Sequence, residues 1–158
     1  MRTFWLVISM ISMQLQASPC SSQEYKSFDF WLGDWKVKSN EKYVATSKIS
    51  KILDGCVILE EYQTTSGFAG KSLNTYSTES GIWHQTWMDN KGGMLILKGG
   101  IEGHKMILRG VTLEKDGTEK KHEITWQKQQ GGTVHQVWRA RAGNNDWVIL
   151  FSGLYLRN

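Results

Sequence analysis

The chain has 158 residues, of which 40% are hydrophobic and 22% charged, the length and balance of one globular domain with a buried core. Its formal charge of +4 is scattered, with Lys120-Lys121 and Arg139/Arg141 the only small basic clusters. The concentrated basic face of a nucleic-acid-binding domain is missing, so no nucleic acid partner is expected.

The N-terminus reads Met1-Arg2-Thr3 and then Phe4 to Met13 without a further charge. One positive charge before a short apolar run is the pattern of a secretory signal peptide, and the run is too short for a transmembrane anchor. Residues 1–18 are therefore expected to be a leader cut near Ala17 or Ser18, although Leu15 fits poorly three places before a cut after Ala17. Residues 19–158 are expected to form a single domain, exported to the periplasm or beyond the cell. Lipoprotein anchoring at Cys20 is disfavoured, because Pro19 stands where lipidation wants a small residue. In an oxidising compartment Cys20 and Cys56 can pair and tie the N-terminal tail to the domain, a reading favoured over one tail thiol and one buried thiol.

Residues 24–32 predict a helical turn or two, with Tyr25, Phe28, Trp31 and Leu32 able to share a face. From Trp35 onward the period shifts to two. Strands are predicted near 34–39, 43–53, 56–64, 70–77, 82–89, 93–99, 104–110, 119–127, 133–140 and 146–156. The breaks carry turn chemistry: Asp54-Gly55, Ser66-Gly67, Ser80-Gly81, Lys91-Gly92-Gly93, Gly99-Gly100 with Glu102-Gly103, Asp116-Gly117, Gly131-Gly132 and Gly143-Asn144-Asn145. Sixteen Gly with a single Pro suit such hairpins, because Gly supplies the positive φ of tight turns. About ten strands joined by short turns imply consecutive antiparallel pairing, and closure removes the two exposed edges. The predicted fold is all-β: a closed up-and-down antiparallel barrel, like a lipocalin or fatty-acid-binding protein, with a short N-terminal helix.

The string Phe28-Asp29-Phe30-Trp31-Leu32-Gly33-Asp34-Trp35 and the stretch from Asp54-Gly55-Cys56 to Glu60 resemble a family of exported bacterial lipocalin-like, calycin-type domains. So do Ser72-Leu73-Asn74-Thr75-Tyr76, Trp83 to Asp89, Val134 to Trp138, and Phe151-Ser152-Gly153-Leu154-Tyr155. Gly33-Asp34-Trp35 also has the Gly-x-Trp spacing with which lipocalins open their first strand. The resemblance implies a barrel whose floor is closed by that Trp, and export; it implies no activity.

Strand parity sorts the candidate residues, because alternate side chains face opposite sides. One face of 56–62 carries Ile58, Glu60 and Tyr62, and one face of 72–76 carries Ser72, Asn74 and Tyr76. One face of 82–89 carries Trp83, Gln85, Trp87 and Asp89, and one face of 133–139 carries Val134, Gln136 and Trp138. Each places a hydrogen-bonding group between apolar or aromatic neighbours, as a small-molecule site does. The expected ligand-binding residues are Glu60, Tyr62, Asn74, Tyr76, Trp83, Gln85, Trp87, Gln136 and Trp138.

Other chemistries find little support. Of the four histidines, His84 and His135 lie opposite the aromatic faces, His104 follows a turn, and His122 shares a face with Ile124 and Trp126. No His or Cys pair has metal-ligand spacing, so no metal or cofactor is expected. No Gly-x-Ser-x-Gly elbow is present and the Gly-rich turns lack phosphate-binding partners. Glu60 is the one carboxylate placed to act as an acid or base if buried; the plainer expectation pairs it with Arg109, Arg139 or Lys71. Asp29 and Asp34 are expected to cap the short helix or accept backbone N–H groups. The leading expectation is a monomeric, secreted barrel holding a small, mostly apolar molecule. The alternatives are an isomerase- or cyclase-type enzyme using the same cavity, or an envelope interaction module with a filled core.

Overall fold

The computed structural model describes residues 19–158; the expected leader, residues 1–18, lies outside them. A short helix, α1 (Gln23–Lys26), and one 3-10 turn (Asp29–Trp31) precede ten strands. These are β1 (Gly33–Ser39), β2 (Lys42–Ile52), β3 (Val57–Thr64), β4 (Ala69–Ser77) and β5 (Ile82–Asp89), then β6 (Met94–Glu102), β7 (Lys105–Leu113), β8 (Glu119–Lys128), β9 (Val134–Ala142) and β10 (Val148–Arg157). Each strand pairs antiparallel with its sequence neighbours, and β1 closes on β10 from Trp35 opposite Arg157 to Lys38 opposite Leu154. The predicted closed meander is the observed one, and no helix among the described residues is long and apolar enough to cross a membrane.

The predicted helical segment is two short turns: the chain leaves α-geometry at Phe28 and tightens into the 3-10 turn. One expectation about local structure is corrected. Gly99-Gly100 is not a break: β6 runs through it to Glu102, and the turn lies at Gly103–His104. The glycines serve close backbone approach instead. A Cβ on Gly99 would stand 2.1 Å from the Ile107 carbonyl oxygen, and one on Gly110 would stand 2.2 Å from that of Ile96.

The two ends of the barrel differ. At one end, the 3-10 turn drives Phe28 and Trp31 into the lumen, where both are fully buried. Phe28 stacks on Trp31 at 4.9 Å between ring centres and meets Trp83 and Trp126 edge-on at 5.6 and 5.3 Å. Trp35 donates its indole N–H to the Trp31 carbonyl at 2.8 Å, which fixes the turn against β1. Gly33 makes the change of direction possible: its φ is +135°, and a Cβ there would meet the Arg157 guanidinium.

Three further contacts hold this plug. Cys20 is disulfide-bonded to Cys56. Trp83 donates its indole N–H to Ser27 Oγ at 3.0 Å. Asp29, expected to cap the helix, instead forms an ion pair with Lys51 of β2 at 2.8 Å. Asp34 is exposed at the start of β1, where its carbonyl, not its side chain, accepts the Asn158 N–H. The opposite end, reached by the β1–β2, β3–β4, β5–β6, β7–β8 and β9–β10 turns, carries no plug among the described residues.

Candidate functional site

A cavity of about 770 Å³ occupies the lumen from the unplugged end down to Glu60, Gln85, Gln136 and Tyr155. Its size falls in the range of small-molecule sites.

Aromatic rings stand along its wall. Tyr62 meets Trp87 at 6.1 Å and Phe151 at 6.4 Å between ring centres, and Phe68 stacks beside Trp87 at 6.5 Å. Trp87 has room because its ring lies over Gly70 of β4, two residues along from its ladder partner Ser72; a Cβ on Gly70 would lie 2.2 Å from the indole. Another part of the wall is Trp138, whose indole N–H donates to His122 Nδ1 at 3.2 Å. That bond makes Nδ1 the acceptor, so Nε2 carries the proton and donates to Thr112 Oγ1 at 2.9 Å. Burial, and then the Lys120 charge, lower the His122 pKa and keep the imidazole neutral.

The base is polar and connected. Glu60, 3% exposed, accepts hydrogen bonds from Ser47 Oγ at 3.3 Å and Ser72 Oγ at 2.9 Å. Asn74 Nδ2 donates to Ser72 Oγ at 2.9 Å and to the Ile58 carbonyl at 3.1 Å, and Gln85 Nε2 donates to Asn74 Oδ1 at 2.6 Å. Tyr155 donates its hydroxyl to Gln136 Oε1. The expected pairing of Glu60 with a cation is overturned by facing. Lys71 points outward to Glu61, and Arg109 and Arg139 both point outward to Glu123.

A buried carboxyl with hydroxyl partners and no counter-charge resists ionisation. Burial raises Glu60 from 4.5 to about 7, against the opposing pull of Ser72 and Ser47. Burial, and secondarily the Glu60 charge, push the Tyr62 hydroxyl up to about 12. Glu60 therefore holds its proton more tightly in the folded chain than in the unfolded one. Its contribution to stability is complete below about 4.5 and is lost as the pH rises through about 7. Unfolding free energy is expected to fall by up to about 3 kcal/mol across that window. Denaturant titrations should show Glu60→Gln flattening the fall and exceeding the parent in stability at about pH 8. A parent-like slope in the variant would contradict this assignment.

The sequence-derived candidates divide by depth. Glu60, Tyr62, Gln85, Trp87, Gln136 and Trp138 line the cavity. Asn74 lies fully buried within the hydrogen-bonded base. Tyr76 and Trp83 stand at the plugged end, where Tyr76 packs edge-on against Tyr25 at 5.4 Å and Trp83 holds Ser27. His122, Tyr155, Phe151 and Phe68 also line it and were not among the candidates. For His122 the signal was its shared face with Ile124 and Trp126. Among the described residues, no group of three or more His, Cys, Asp or Glu is gathered where it could hold a metal. No family model matches the chain, and no curated protein matches it.

Proposed function

We propose that this protein is an exported binding protein that holds a small, mostly apolar molecule inside the barrel. The observation that carries the reading is the one-ended cavity of about 770 Å³, walled by Tyr62, Trp87, Trp138 and Phe151 over a hydrogen-bonded base. Apolar burial contributes roughly 25 cal/mol per Å² removed from water, and the polar base sets orientation. Export is supported by the leader-like N-terminus and by the Cys20–Cys56 disulfide, which suits an oxidising compartment. The similarity in residues and turn rhythm to exported lipocalin-like domains points the same way.

The binding reading is favoured over catalysis by the geometry around Glu60. Its two side-chain partners are serines held by the fold, and His122 is engaged by Trp138 and Thr112, so neither is set beside an activated nucleophile.

Native mass spectrometry of the purified protein should reveal a co-purifying small molecule. Titration of the emptied protein with an apolar fluorophore should quench tryptophan emission. Trp87→Ala and Trp138→Ala should each weaken that binding about tenfold, as losing a buried aromatic contact does. Their melting temperatures should move less than that of a plug variant. Unchanged affinity in both variants would place the ligand elsewhere and refute the lumen site.

A further inference from the structure

The cavity lining is unbalanced in charge. Its carboxylates are Glu60 at the base and Asp89 and Glu114 near the mouth, while its cationic side chain is Lys120. Lys120 stands at the rim and is already paired with Glu114 at 2.9 Å. Asp89 is held ionised by the Gly93 and Lys91 backbone N–H groups, which lower its pKa. His122 is neutral and has both ring nitrogens engaged. An anionic ligand head reaching the base would thus meet a carboxyl group and, among the described residues, no free cation.

Hydrogen-bond polarity points the same way. The Ser47, Ser72 and Tyr155 hydroxyls all donate to protein acceptors, and Asn74 directs its amide N–H groups at Ile58 and Ser72. The donors still available at the base, on Gln85, Gln136 and Tyr62, are uncharged. Glu60 keeps acceptor capacity: a carboxylate offers about four lone-pair positions, and the serines occupy two. Tyr62, Trp87 and Trp138 add π faces, which attract a cation in a desolvated site.

Building on the lumen-binding reading, we propose that the ligand is a cationic amphiphile, an amine with an apolar body, whose ammonium group pairs with Glu60 at the base of the barrel. The ligand supplies the counter-charge that the fold withholds from this carboxylate. The apolar part then lies against the aromatic wall toward the mouth.

The test uses one apolar chain with three heads: decylamine, decanol and decanoate, titrated by tryptophan fluorescence below their aggregation thresholds. Decylamine should bind on the order of tenfold to a hundredfold more tightly than decanol, the range of a charge-assisted bond in a buried site, and decanoate should bind weakest. Glu60→Gln should remove the advantage of decylamine over decanol, read as the ratio of their affinities in the one variant. Decylamine affinity should also rise with pH through about 7, where Glu60 ionises. Decanol serves there as the control for pH effects that do not act through the ligand's charge, those at His122 included; Tyr62 and Tyr155, which also face Glu60, hold their protons through that range.

Decanol binding with no preference for the amine, or decanoate binding best, would overturn the amine assignment and leave the lumen reading standing. Failure of all three chains to bind would overturn both. The comparison of heads on the parent protein needs no variant, so the proposal is decided even if Glu60→Gln folds poorly.

Discussion

Phe28→Ala is expected to destabilise the protein by about 3–5 kcal/mol, the range for truncating a fully buried Phe. The side chain is the hub of the plug. It contacts Phe30 as well as Trp31, Trp83 and Trp126, with ring centres 4.9–5.6 Å apart. Removing it strips dispersion contacts from four rings at once, and the surrounding strands are tied into a closed ladder that cannot collapse onto the gap. Denaturant unfolding measures the loss; a change below about 1 kcal/mol would show that the floor repacks. Trp31→Phe should be milder than Trp31→Ala, because the Trp31 indole N–H is buried with no acceptor among the described residues and its removal relieves a desolvated donor.

Breaking the Cys20–Cys56 bridge is the second large effect. The bond joins residues 36 apart in sequence, and the chain-entropy relation for such a loop gives about 4 kcal/mol of stabilisation. Cys20→Ser with Cys56→Ser, or reduction, should lower the denaturation midpoint accordingly. The loss should be focused on the plug, because the tethered segment contributes α1 and the 3-10 turn and no strand. Hydrogen exchange should therefore quicken at residues 23–35 more than in β6–β9. Uniform quickening across the barrel would instead mean that plug and barrel unfold as one unit.

The barrel itself was legible because strand period and turn chemistry repeat the same message. Gly55, Gly67, Gly81, Gly92, Gly103, Gly117 and Gly143 all adopt positive φ between strands, as tight turns require. Parity also put Glu60, Gln85 and Gln136 on the faces that line the lumen. Depth along the strand is what parity leaves open. Tyr76, Trp83 and Gln85 all face inward, yet the first two belong to the plug. Only the register of neighbouring strands, with Asn74 opposite Gln85 and Tyr76 opposite Trp83, tells floor from cavity. The partners of Glu60 were hidden for a similar reason. Ser47 and Ser72 lie 13 and 12 residues away in sequence, and serines carry no charge to advertise a role. The gap at Gly99-Gly100 was misplaced because glycine marks close backbone approach as well as turns.

The plug at one end of the barrel has a kinetic consequence. With Phe28, Trp31 and Trp35 filling the floor, a guest of the proposed kind would arrive and leave by the same opening, and whatever lay deepest would be the last part to depart. A newcomer cannot push from behind. Exchange of one guest for another must follow a dissociative course, at a rate independent of how much competitor is added. The lifetime of the complex is then written into the contacts at the base and around the rim, and excess competitor reads it out directly.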